Sequence, residues 1–395
     1  MSSAPSPLPA VRLGFIPLVD AAVPIAAAAL GLDRAEGLRL DLVRDVSWSN
    51  IRDRLAFRQF DAAHLLGPMA IASQLGLGSN PYPVIAPFSL GLGGNAVTLS
   101  LRLFETMREA AGEADRDEPA AHGRALARVV RRRAAAGLPP LTFGVTYPFS
   151  SHNYEFRFWM AEAGIDPDRD VAMTIVPPPL TVDALRSGAI DGFCVNAPWN
   201  VSAVEAGVGR IVAVKADISL ASPEKVLGIR PDWWAANADL GAALLRALRR
   251  AALWCDQPEN RAELASILAR PEHLGGNPAS LAAILAGDLA VSPEGTRRNL
   301  PNYLTFHGGE ANRPRPSEAL WVYSQMVRWG QVPLGDEFAQ RAASAFRPDL
   351  YDAVFGDSRE TSSAGDLTPG TIAGYVDGFT IRRRPDENSS QDSPE

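Results

Sequence analysis

Apolar and polar positions alternate weakly over residues 11–16 (VRLGFI) and cleanly over 38–43 (LRLDLV), as in strands with one buried face. An alanine-rich helical run to Leu30 follows the first strand. A helix-spaced run to Phe60 follows the second, with Ser49 placed to cap it. Residues 61–66 (DAAHLL) read as a short buried strand, Pro68 opens another helix, and 96–100 (AVTLS) adds a further strand. This β-α-β-α-β rhythm predicts a parallel, doubly wound sheet. It returns with strands at 141–146, 171–176 and 192–195, helices at 152–163 and 182–187, and a return strand at 211–215.

Two α/β units, with the chain crossing out near Val97 and back near Val212, predict two lobes and a cleft. The first lobe is expected to hold residues 11–97 and 213–350, and the second 98–212. Residues 1–10 are expected to be a flexible start, and 351–395 a C-terminal extension that is disordered after about 382. Residues 108–136 turn charged and alanine-rich, which predicts an exposed helical pair with a mobile connection near 112–119.

Composition narrows the function classes. With 46% hydrophobic and 21% charged residues, a 395-residue chain can bury a substantial core unaided. Its net charge of −7 argues against a broadly basic, nucleic-acid-binding surface. The basic run at 128–133 has no interleaved aromatics and reads as the solvated face of a helix. Two cysteines, Cys194 and Cys255, exclude a disulfide framework and a four-cysteine zinc site. The longest apolar stretch, 21–32, is broken by Pro24 and Gly31 and is too short to span a bilayer. Residues 1–10 (MSSAPSPLPA) carry no basic start, signal-length apolar run or lipobox cysteine, so a cytoplasmic protein without membrane contact is expected.

No GxGxxG, Walker A, GxSxG or HExxH pattern is present, and the histidines at 64, 122, 152, 273 and 307 lack ligand spacing. Neither a metal nor a cofactor is expected, and a cleft without catalytic signatures favours binding over turnover. Polar and aromatic residues instead gather at the ends of predicted strands, where open α/β sheets bind ligands. Trp48 lies in VSWSN, Asn95 at a glycine-rich crossing and His152 in TYPFSSH. The triple proline at 177–179 and NAPW at 196–199 end two further strands, and Lys225 lies in SPEKVLG.

The segments LGFIPLVDAAVPIAAA, VSWSNIRDRL, FDAAHLLGPM, TYPFSSHNYEFRFWMAEAGIDPDRDV, VPPP, DGFCVNAPWN and SPEKVLGIRPDWW resemble the nitrate- and bicarbonate-binding proteins of cyanobacterial ABC importers. That resemblance implies a type II periplasmic-binding-protein fold, two α/β lobes closing on a small oxyanion. It also implies an anion held at positions matching Trp48, Asn95, His152, Pro178, Asn196 and Lys225. The family has glutamine where this chain has Asn95, and glycine where it has Asn196. Nitrate accepts hydrogen bonds and donates none, so its site needs donors and positive charge without a carboxylate. Lys225 would supply fixed charge, His152 a ring N–H or a full charge, Asn95 an amide, and Trp48 an indole N–H or a flat wall. Bicarbonate-binding relatives carry an acidic residue, with calcium, at the position matching Lys225, so lysine there points to nitrate or nitrite. A thiamine-pyrimidine synthase branch shares the fold but carries an HCCCFC motif absent here.

The signal-free start resembles a cytoplasmic nitrate/nitrite sensor branch of this family. That likeness implies a protein that, when ligand-free, sequesters an ANTAR-type RNA-binding antiterminator and releases it on anion binding, controlling nitrate assimilation genes. The alternative is the substrate-binding subunit of a nitrate ABC importer.

Overall fold

The computed structural model describes residues 7–80, 82–110, 118–218 and 224–356. Two five-stranded sheets organise the chain. The first runs in the order Arg39–Arg44, Ala10–Phe15, Ala62–Leu66, Lys225–Ile229, Ile85–Ser89. The second runs Gly209–Val214, Asn95–Ser100, Gly192–Asn196, Thr142–Val145, Ala172–Ile175. Mixed α/β lobes are therefore present as expected, but neither sheet is purely parallel. Lys225–Ile229 runs antiparallel to both its neighbours, and so does Asn95–Ser100 in the other sheet.

The reason is topological. In each lobe the remaining strands point their C-terminal ends toward the cleft. A strand that arrives from the other lobe starts at the cleft and must run the opposite way. Asn95 and Lys225 are the first residues of these two incoming strands. Both are thereby set beside the C-terminal strand ends of the lobe they join, where this architecture collects ligands. The crossings fall at 90–94 and after Val214, so boundaries at 97/98 and 212/213 would cut through paired strands.

Local chemistry accounts for most elements. The helix Trp48–Ala56 is capped by Ser47, whose Oγ accepts from the Asn50 N–H at 3.2 Å; Ser49, the expected cap, lies inside the first turn. Its buried residues Trp48, Ile51 and Leu55 form one face at helical spacing. Ser47→Ala should lower unfolding free energy by about 1 kcal/mol, read from urea midpoints; an unchanged midpoint would show the helix start to be held by tertiary packing alone. Helix Gly67–Gln74 is apolar almost all round and correspondingly buried, with Pro68 in its first turn.

The first lobe is completed by helices after the return strand, among them Ala238–Asp256, Pro316–Arg328 and Pro348–Phe355. The last of these straddles the expected end of the lobe at 350. Tyr351 is buried with its ring centroid 6.0 Å from that of Phe88, so this helix belongs to the first lobe's core. At the other end the first strand already begins at Ala10, within the start expected to be flexible. Helices Leu101–Ala110 and Pro119–Ala135 pair in the second lobe, but the first lies mostly before the expected start at 108 and both bury a face instead of standing exposed. The expected mobile connection and the tail beyond 382 fall on residues outside those described, apart from 118–119.

Polar bonds draw the lobes together. The Val19 N–H donates to the Ala197 carbonyl at 2.8 Å, and Trp199 Nε1 to the Pro17 carbonyl at 3.1 Å. Arg52 Nη1 donates to the Tyr147 hydroxyl at 2.8 Å, and the Tyr154 hydroxyl to Gln331 Oε1 at 2.7 Å.

Candidate functional site

Two capped helix starts face the cleft. Trp48 opens its helix after Ser47, and Ser150 caps Ser151–Glu162 by accepting from the Asn153 N–H at 3.1 Å. That second cap places Ser151 and His152 in the helix's first turn, and Glu155 one turn further along. The first lobe adds Asp20, from the short 3-10 turn Val19–Ala21, and His64 from the strand Ala62–Leu66. The incoming strand adds Lys225, with Glu224 immediately before it; Lys215 follows the last strand of the second lobe.

All these side chains are buried, and the charged ones, with His64 and Ser151, are joined in one network. Lys225 Nζ lies 2.7 Å from Asp20 Oδ2 and 2.6 Å from Glu224 Oε1. The Ser151 hydroxyl donates to Glu224 Oε1 at 2.8 Å, while Lys215 Nζ sits 2.9 Å from Oε2. Asn95 Nδ2 donates to Glu224 Oε2 at 2.5 Å and to Glu155 Oε2 at 2.9 Å. Lys215 Nζ is 3.3 Å from Glu155 Oε1. Asn196 Nδ2 donates at 3.0 Å to Asn95 Oδ1, and at the same distance to the Gly93 carbonyl. Gly94 beside it has a positive φ of 87°, and a Cβ there would collide with the Asn196 amide. Only glycine fits this crossing.

The electrostatics follow from burial and pairing. Burial alone would raise the Asp20 carboxyl pKa, but Lys225 and His64 outweigh it and hold it below the usual value. Burial likewise opposes the Glu224 carboxylate, and Lys215 and Lys225 overcome it, pushing its pKa far down. Lys225 and Lys215 are raised in return, despite burial, by their carboxylate partners. The histidines go the other way. Burial, reinforced by Lys225, drives His152 down to about 3, so its ring is neutral at pH 7. His64 is lowered too, chiefly by burial, against the pull of Asp20.

One expectation is corrected here, and one left open is narrowed. The site is not free of carboxylates: Asp20, Glu155 and Glu224 face two lysines, and Lys225 is paired rather than free. His152 offers a neutral ring and not a full charge. Its Nδ1 is 3.0 Å from Thr146 Oγ1. With that hydroxyl donating, the proton belongs on Nε2, which then becomes a donor.

Trp48 Nε1 and His152 Nε2 are both buried without a hydrogen-bond partner. The Trp48 ring centroid is 5.8 Å from Lys225 Nζ, and His152 Nε2 is 3.9 Å from Glu224 Oε1. Donors from opposite lobes thus stand next to one buried ion-pair network. Five of the six expected residues (Trp48, Asn95, His152, Asn196 and Lys225) meet here. Pro178 is buried in the turn Pro178–Leu180, where its carbonyl accepts from the Thr181 hydroxyl at 2.8 Å. Sequence reasoning missed Asp20, His64, Ser151, Glu155, Lys215 and Glu224. A signal existed for two of them: Asp20 and His64 are lone ionisable residues inside apolar runs, and such residues are rarely buried unless partnered.

The profile of the NMT1-like family matches residues 4–269. The chain belongs to the NMT1-like family. It is 30% identical over 383 residues to the nitrate/nitrite binding protein NrtA of Synechococcus elongatus, covering 94% of this chain and 83% of that one. It is 31% identical over 384 residues to the nitrate import ATP-binding protein NrtC of Synechocystis, covering 94% of this chain and 55% of that one. The chain therefore spans about half the length of that curated relative. A crystal structure of the periplasmic nitrate-binding protein NrtA from Synechocystis superimposes with a TM-score of 0.81 at 24% identity, covering 95% of this chain and 99% of that one. This NMT1-like chain accordingly has the periplasmic-binding-protein fold, two α/β lobes around a cleft. Among the described residues no helix is long and apolar enough to cross a membrane.

Proposed function

We propose that this NMT1-like chain binds nitrate or nitrite between its lobes and serves as the substrate-binding subunit of an ABC importer. The observation that carries this reading is the pair of buried, unpartnered ring nitrogens, Trp48 Nε1 and His152 Nε2, one from each lobe, beside Lys225. An oxyanion between them accepts from both rings and faces the ammonium. It thereby bonds the lobes in their closed arrangement, and only such differential contact lets a ligand shift an open–closed equilibrium. Trp48, Asn95, His152, Asn196 and Lys225 are the residues we assign to the anion, and Pro178 is added on the family resemblance alone.

The named relatives are importer proteins, which favours the importer over the sensor. The proposed place of action is accordingly the periplasmic side and not the cytoplasm. The sensor is the alternative, and a complex with an ANTAR-type regulator that forms only without nitrate would favour it.

Calorimetric titration with nitrate, nitrite and bicarbonate tests the binding itself. Saturable heat with nitrate or nitrite is the expected result, and its absence with both overturns the proposal. Trp48→Phe removes one donor while keeping an aromatic wall, and should weaken nitrate binding about fivefold, the worth of one hydrogen bond. Equal affinity in variant and parent would remove Trp48 from the site.

A further inference from the structure

We propose that Glu224 is a tethered anion: its carboxylate takes up the donors of the inter-lobe site, and an external monoanion binds by exchanging with it. This rests on the anion-binding reading above and assigns Glu224 as the residue that sets affinity and charge selectivity.

A carboxylate is a planar monoanion with two accepting oxygens, the same recognition chemistry as nitrite and close to that of nitrate. Glu224 already collects such an ion's complement. Oε1 takes Lys225 Nζ at 2.6 Å and the Ser151 hydroxyl at 2.8 Å; Oε2 takes Lys215 Nζ at 2.9 Å and Asn95 Nδ2 at 2.5 Å. His152 Nε2 stands 3.9 Å from Oε1, short of bonding it. The donors come from both lobes. Lys225 lies in the first sheet, while Ser151 and Asn95 lie in the second lobe. The other two carboxyls are held differently. Asp20 pairs within the first lobe with His64 and Lys225, and Glu155 meets Asn95 and Lys215.

The backbone permits the exchange. The Gly67 N–H donates to the Glu224 carbonyl at 2.9 Å, and Lys225 begins the paired strand. The main chain is therefore anchored, and the carboxylate leaves by side-chain rotation alone. Charge favours exchange over addition. Among the described residues three carboxyls face two ammonium groups, so an anion added to the cleft would deepen an imbalance that burial makes costly. Replacing the carboxylate by a monoanion keeps the balance, whereas a dianion such as sulfate worsens it. Nitrate affinity is then reduced by the fraction of molecules in which Glu224 still holds its donors.

The test uses the full chain with Glu224→Gln, read by small-angle scattering without nitrate and by titration with nitrate and sulfate. An amide competes for the same donors without charge, and charge-assisted bonds are about twice as strong as neutral ones. E224Q is expected to show a larger radius of gyration than the parent without nitrate and to contract when nitrate is added. It should also bind nitrate about tenfold or more tightly than the parent. Glu224→Asp retains the charge but is one methylene shorter and cannot span to Ser151 and Asn95 together. It should likewise bind nitrate more tightly, which keeps the test open if E224Q folds poorly. Weaker nitrate binding in both variants would mean that Glu224 only holds the lysines in place, and would overturn the proposal. If neither parent nor variants bind nitrate or nitrite, the binding function itself is lost, and scattering still decides the tether. A larger E224Q radius supports it, and equal radii overturn it.

Discussion

Lys225→Met is expected to abolish nitrate binding and to cost about 3–5 kcal/mol of folding stability, the range for removing one partner of a buried ion pair. Lys225 is almost wholly buried, and its Nζ touches both Asp20 and Glu224. Methionine matches its length and apolar stem, so packing survives while the charge goes. Glu224 keeps Lys215, Ser151 and Asn95, but among the described residues Asp20 is left with only His64, whose charging burial opposes. Most of the loss therefore belongs to Asp20. The double variant Lys225→Met, Asp20→Asn should recover a large part of the stability and none of the binding. Urea unfolding and calorimetric titration at pH 7 measure the two effects. A single variant as stable as the parent would mean the ion pair is broken in solution. Near-native affinity would take Lys225 out of the site. Charge reversal to glutamate is the poorer probe, since a fourth buried carboxyl threatens the fold itself.

The two lobes were legible because their strands and helices carry strong local patterns, with period 2 over 38–43 and helical spacing after Ser47. Strand direction was not. Lys225–Ile229 looks like any short apolar run, and its antiparallel placement depends on a crossing more than a hundred residues from its partners. The site was half legible for a similar reason. Trp48, His152 and Lys225 stand in distinctive segments, and strand ends are a sound place to look. Which charges meet them is a property of the folded molecule. Glu224 adjoins Lys225 in sequence, yet side chains at neighbouring positions of an extended segment point apart, so their 2.6 Å contact is not implied by adjacency. Lys215 and Glu155 are separated by 60 residues and meet only because one follows a strand and the other rides a helix of the same lobe.

Acid should unfold this protein through the cleft, starting well above the carboxylate range. His152 falls from 6.5 to about 3 on folding, so between those pH values the unfolded chain binds a proton that the folded chain refuses. Its contribution to stability is complete above about pH 6.5 and is lost as pH falls toward 3; the full gap corresponds to about 4–5 kcal/mol. His64 is lowered in the same direction and adds to the slope. Asp20 and Glu224, depressed rather than raised, add a second loss only below about pH 4.5, where their unfolded counterparts take up protons. From pH 6.5 to 4.5 the parent is therefore expected to lose about 2–3 kcal/mol, read from urea midpoints. His152→Asn keeps an amide able to pair with Thr146 but cannot titrate, and should lose markedly less over the same interval. Nitrate affinity, in contrast, should stay flat from pH 6 to 8, because a neutral ring donates throughout. The same variant should weaken binding without introducing pH dependence there. Parallel stability curves for parent and variant would show that His152 is already hydrated or protonated in the folded cleft. An affinity that falls steeply as pH rises from 6 to 8 would return the imidazolium to the site.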